Sequence, residues 1–183
     1  MGPIKESEVF WVYVITFLNS KMTQFGKVQR VLIIALCLLA GKFCHAQMNG
    51  VDMAKVDSLM SNQAKPLLIL LSTDWCTYCQ MQKAQLRKDK TFTRQMNNFY
   101  YVEWNAESRK TIYFNKHWYH FKASSATTGI HELALSLNGS ERIAYPTWVL
   151  LNMRYEVLFR HSGVLMPQQI HQLLKVIDKI SND

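Results

Sequence analysis

The sequence predicts an α/β sandwich, on three observations. The run Leu67-Leu68-Ile69-Leu70-Leu71-Ser72 is apolar up to its last residue, the pattern of a strand buried on both faces. Directly after it, Trp75-Cys76-Thr77-Tyr78-Cys79 places a C-x-x-C motif between that strand and a helix-forming stretch. Near the end, Ile170, Leu173, Leu174 and Ile177 recur at i, i+3, i+4 and i+7, one apolar stripe of a closing helix that can pack on a sheet.

The chain has 183 residues, enough for one ordinary domain behind an export segment. Lys27 and Arg30 precede the apolar run Val31 to Gly41, and Phe43-Cys44-His45-Ala46-Gln47 sets small residues at −3 and −1 of a cut after Ala46. A basic start, a short apolar run and a small-x-small site together describe a secretory signal peptide over 22–46. The run is shorter than the roughly 20 residues that a membrane-crossing helix needs. Leu36 and Phe43, which precede Cys37 and Cys44, do not fit the small-residue pattern before a lipid-modified cysteine. Residues 1–21 carry a second apolar run, Val9 to Leu18, and read as a start-site artefact or an extra N-terminal segment. The alternative is an uncleaved anchor made of both runs. The expected location is therefore outside the cytoplasm, in the periplasm, with 47–183 as the mature domain.

The net charge is +8, of which residues 1–46 hold +3, leaving +5 for 47–183. The basic residues are scattered and not interleaved with aromatics, which argues against nucleic acid as a partner. Of four cysteines, Cys37 and Cys44 fall in the export segment, so the mature domain keeps Cys76 and Cys79 alone.

The elements follow in order. Val51 to Ser61 can form a helix with an imperfect apolar face, broken at Lys65-Pro66. The strand Leu67–Leu71 comes next, then a turn at Thr73-Asp74-Trp75. A helix runs from Cys76 to about Lys88, followed by a short helical stretch from Phe92 to Asn97. Phe99 to Trp104 is aromatic and β-branched, hence a strand. Thr111 to Phe114 and His117 to Phe121 read as a hairpin joined by Asn115-Lys116, Ser124 to Gly129 as a polar loop, and Ile130 to Leu137 as a helix stopped at Asn138-Gly139. Thr147 to Leu151 and Glu156 to Arg160 form a second hairpin across Asn152-Met153-Arg154, and Pro167 opens the final helix.

The C-x-x-C motif points to thiol–disulfide exchange. At a helix start, Cys76 meets unpaired N–H groups and the positive end of the helix dipole, both of which favour a thiolate. Cys79, one turn on, shares that helix face at a separation suited to a disulfide. Cys76 is the expected nucleophile and Cys79 the resolver. Zinc is the standing alternative, but it needs four ligands and there is no second C-x-x-C, while His117 and His120 would point to opposite faces of a strand. Haem attachment would need His where Gln80 stands. A purely structural bridge stays open, although so short a loop would stabilise little. His131 and Glu132 read as a helix cap, and the dispersed methionines as core filling rather than a copper site.

The strand leading into "STDWCTYC", the "YPT" of Tyr145-Pro146-Thr147 before a strand, and the closing amphipathic helix together resemble the thioredoxin fold over about residues 50 to 182. "TDWCTYC" is similar to periplasmic thioredoxin-like thiol–disulfide reductases, including the C-terminal domain of the DsbD-type electron conductor. The resemblance implies a three-layer α/β/α sandwich with a central mixed sheet, and an insertion, Arg109 to Asn138, before the cis-Pro strand. It implies that Pro146 is cis beside the dithiol, that Tyr145 offers backbone groups to an extended substrate, and that Trp75 forms an aromatic wall. A trans Pro146 opening an edge strand, and an exposed Trp75 with no special role, are the plain alternatives. Thioredoxins carry a buried Asp six residues before the first cysteine, and Leu70 stands there instead. Glu103, in the neighbouring strand, is either that acid displaced, serving Cys79 as proton acceptor, or a surface glutamate.

The expectation is an exported thiol–disulfide oxidoreductase of the reductase kind, with no prosthetic group. Its partners would be protein disulfides and a membrane thiol electron donor. A disulfide oxidase or isomerase, and a binding module with a structural bridge, are the rivals. Thr77-Tyr78 lacks the histidine that in strong oxidases and isomerases precedes the second cysteine, which favours reduction.

Overall fold

The computed structural model describes residues 50–182. The expected signal peptide over 22–46, the segment 1–21, Cys37 and Cys44 lie outside the described residues.

Asp52 accepts a hydrogen bond from the Ala54 amide and starts a 3-10 turn, Met53–Lys55, that passes into α1, Val56–Asn62. Strand β1 is Leu67–Ser72, buried at every position. Helix α2, Thr77–Lys88, is followed by α3, Lys90–Gln95, and strand β2, Tyr100–Asn105. Helix α3 begins two residues before the expected Phe92. The cause is Asp89, whose carboxylate accepts from the Thr91 and Phe92 amides and caps the helix.

The segment between β2 and the proline strand holds two hairpins and a helix. Strands β3, Ile112–Phe114, and β4, His117–Tyr119, pair across Asn115 and Lys116, both left-handed at φ 48° and 64°. That is the turn geometry a two-residue hairpin favours. Strands β5, Phe121–Ala123, and β6, Gly129–His131, form a second hairpin around the expected polar loop. A Cβ at Gly129 would lie 2.4 Å from the Lys122 carbonyl, so only glycine fits that crossing. Ile130 and His131 are therefore strand, not helix. The His131 amide donates to the Ala106 carbonyl, and α4, Glu132–Asn138, starts one residue later with His131 Nδ1 as its cap. Gly139, at φ 73°, ends it.

Strand β7, Thr147–Leu151, and β8, Val157–Ser162, precede the last helix, α5, Pro167–Asn182. The main sheet runs β2-β1-β7-β8, with β1 parallel to β2 and antiparallel to β7. Alternate residues of β1 feed two cores. Leu67, Ile69 and Leu71 pack with Val56, Phe114 and Leu133, and Leu68 and Leu70 pack with Leu86, Phe92 and Ile170. Helices α2, α3 and α5 cover one face and α1, α4 and the hairpins the other, which is a three-layer α/β/α sandwich with a mixed sheet.

Candidate active site

Strand β1 ends at Ser72, and Thr73-Asp74-Trp75 turn the chain into α2. Cys76 is the N-cap of α2 in an extended conformation, and its Sγ accepts from the Cys79 amide at 3.1 Å. Its sulfur therefore takes the place a Ser or Asp oxygen would occupy at a helix start, where amide donors and the dipole stabilise negative charge. Both cysteines are buried, Cys79 completely and Cys76 at 5% exposure, so the little exposure the pair has belongs to Cys76. The two are joined by a disulfide, with Cα atoms 5.2 Å apart.

The proline turn reaches the same end of the sheet. Thr147 is paired with Leu71, so Tyr145 and Pro146 sit beside the strand end that leads to the cysteines. The Tyr145–Pro146 peptide is cis, and the Thr147 hydroxyl donates to the Ala144 carbonyl at 2.6 Å across the turn. The Trp75 ring meets the Tyr145 ring edge-on, 5.9 Å between centroids, while remaining 68% exposed. Trp75, Cys76, Cys79, Tyr145 and Pro146 are thus brought together.

A brace that has no signature in the sequence holds Trp75. Its indole N–H donates to the Glu107 carboxylate at 3.0 Å. The Glu107 amide donates to Asn105 Oδ1, and Asn105 Nδ2 donates to Asp74 Oδ2, so the loop after β2 is fastened to the loop before Cys76. Trp75 and Glu107 are 32 residues apart, a pairing that no local pattern encodes. Burial, and then the Glu107 charge, push the Tyr145 phenol up to about 12, so the ring beside the dithiol is neutral.

Glu103 lies opposite Leu70 in the β1–β2 register. Its carboxylate is 3.4 Å from Lys83 Nζ on α2 and accepts from the Tyr101 hydroxyl at 3.2 Å. Burial, then the Glu103 charge and that hydrogen bond, hold the Tyr101 phenol well above its ordinary range, so it donates rather than ionises. Among the described residues Glu103 makes no hydrogen bond to either cysteine; it reaches the dithiol helix through Lys83.

No protein-family model matches the chain. No curated protein matches it either. Solved structures do. A thioredoxin-fold protein from Helicobacter pylori aligns with 66% of this chain and 73% of its own, at 18% identity and a TM-score of 0.50. A thioredoxin from Thermus thermophilus aligns with 72% of this chain and 88% of its own, at 14% identity and a TM-score of 0.51. The fold is the thioredoxin fold. In this thioredoxin-like sandwich the disulfide caps the helix that follows β1, and the cis-proline turn faces it across Trp75.

Proposed function

We propose that this chain is an exported thiol–disulfide oxidoreductase that reduces disulfides in other exported proteins, a periplasmic reductase related in kind to the DsbD C-terminal domain. The observation that carries the reading is the placement of Cys76 as the N-cap of α2 with Cys79 buried one turn behind it and bonded to it. A structural bridge needs neither a helix start nor a facing cis-proline turn.

In the reduced state the Cys76 thiolate attacks one sulfur of a substrate disulfide, and the other substrate sulfur leaves as a thiol after taking a proton. Cys79 then loses its proton and attacks Cys76 Sγ, which breaks the mixed disulfide and releases the second substrate thiol. Two electrons pass from the dithiol to the substrate, and the chain ends as the Cys76–Cys79 disulfide. A membrane thiol donor returns the two electrons. The substrate chain lies along the Tyr145 backbone at Pro146, against Trp75. Glu103, held beside α2 by Lys83, is the proposed acceptor of the Cys79 proton.

Trapping tests the assignment. In Cys79→Ser the resolving attack is lost, so Cys76 should accumulate in mixed disulfides with partner proteins, and Cys76→Ser should accumulate almost none. Equal trapping by both variants, or by neither, would remove these roles. Equilibration with glutathione tests direction: a reductase should show a potential below about −180 mV, whereas a value near −120 mV marks an oxidase.

A further inference from the structure

We infer that Gln82 is a positioning residue that ties the helix of the dithiol to the cis-proline turn, and so sets the groove in which a protein disulfide meets Cys76. The inference rests on the thiol-exchange reading.

Gln82 is wholly buried on α2, one turn beyond Cys79. A polar side chain in that position costs free energy unless the interior replaces its bonds to water. Here the backbone N–H and C=O of one residue, Leu165, do so. Gln82 Oε1 accepts from the Leu165 amide at 2.7 Å, and Nε2 donates to the Leu165 carbonyl at 3.3 Å. Gln85 donates to the same carbonyl at 3.0 Å. Leu165 is itself buried in the core that contains Leu70 and Trp148. Two residues earlier, the Gly163 amide donates to the Pro146 carbonyl at 2.7 Å, with Gly163 at φ 110°, a conformation that glycine adopts freely.

The connection therefore runs from the Cys79 turn through Gln82 to Leu165, and from Gly163 to Pro146 and Tyr145. An apolar residue at 82 would fill the space but leave the Leu165 amide unpaired in the interior, so the loop would move to find a partner. A helix face that only packs has no use for glutamine here. Small disulfides need access to Cys76 alone, whereas a protein chain must also fit along Tyr145. Loss of the clamp should thus act on protein substrates selectively.

The experiment compares kcat/KM for insulin disulfides with the second-order rate for oxidised glutathione, on the purified protein. In Gln82→Met the ratio of the two should fall about tenfold, mainly through KM for insulin, as expected for sub-ångström misplacement. Gly163→Ala should lower the ratio in the same way. Among the described residues a Cβ there meets only His161 Nε2, at 3.9 Å, so the change acts through backbone conformation and not through a clash. Gln82→Glu should recover the ratio as pH falls, because a neutral carboxyl offers both an O–H donor and a C=O acceptor, while Gln82→Met should not recover. An unchanged ratio in both Gln82→Met and Gly163→Ala, or equal slowing of both substrates, overturns the inference. If Gln82→Met does not fold, the Gly163→Ala ratio decides alone. A parent protein inactive on both disulfides overturns the thiol-exchange reading and this inference with it.

Discussion

Reducing the bond between Cys76 and Cys79 is expected to lower the stability of the fold by an amount set by two opposing effects. The bond joins residues three apart, and closing so small a loop in the unfolded chain corresponds to about 2 kcal/mol in favour of the oxidised fold. Against this stands the gain that the reduced fold makes by holding a thiolate at the start of α2. For a thiol of the thioredoxin class, pKa about 7 against about 8.5 unfolded, that gain at pH 7 is only about 0.4 kcal/mol. For a thiol of the strongest oxidant class, pKa about 3.5, it is roughly 5 kcal/mol and reverses the sign. A reductase should therefore be more stable oxidised, by about 1.5 kcal/mol, equivalent to roughly 4–8 °C in Tm for a domain of this size. Urea or thermal unfolding of the oxidised and dithiothreitol-reduced protein at pH 7 measures the difference directly. A reduced form more stable than the oxidised one would refute the reasoning and reassign the chain as an oxidase.

Three further outcomes are expected. His131 is fully buried, and burial first, offset by its bond to the Lys110 carbonyl, lowers its pKa in the fold. The unfolded chain then binds the proton more readily, so His131 contributes stability above about pH 6.5 that is lost as pH falls below it. Thermal melts from pH 7.5 to 5 should show this loss, and His131→Asn, which can still cap α4, should flatten it. Glu103→Gln should slow insulin reduction roughly tenfold with the fold intact; an unchanged rate from pH 6 to 8 leaves Glu103 as the partner of Lys83 and Tyr101 only. On the export proposal, N-terminal sequencing of the mature chain should begin at Gln47, and a mature chain that keeps residues 22–46 would instead indicate an anchor.

What could be read from the sequence was local. The apolar strand Leu67–Leu71, the C-x-x-C at a strand–helix junction, Pro167 and the stripe of the last helix each depend on neighbours within about two turns, and each appears in the structure where it is expected. The same holds for the two-residue turn at Asn115-Lys116. Beyond that range local pattern carries no information. Strands β5 and β6 are three residues each, too short to show alternation, and Ile130-His131 looks helical until the Ala106 carbonyl claims the His131 amide from 25 positions away. The cis geometry at Pro146 came from family resemblance and not from the residues. The contact of Tyr145 with Trp75, the Glu107 carboxylate at the indole N–H and the Gln82 clamp 83 residues from its partner are decided by tertiary packing alone. A buried glutamine or an exposed tryptophan has no preferred partner until the sheet brings distant loops to one end. Only then does the cost of leaving a polar atom unpaired in the interior select which bonds form.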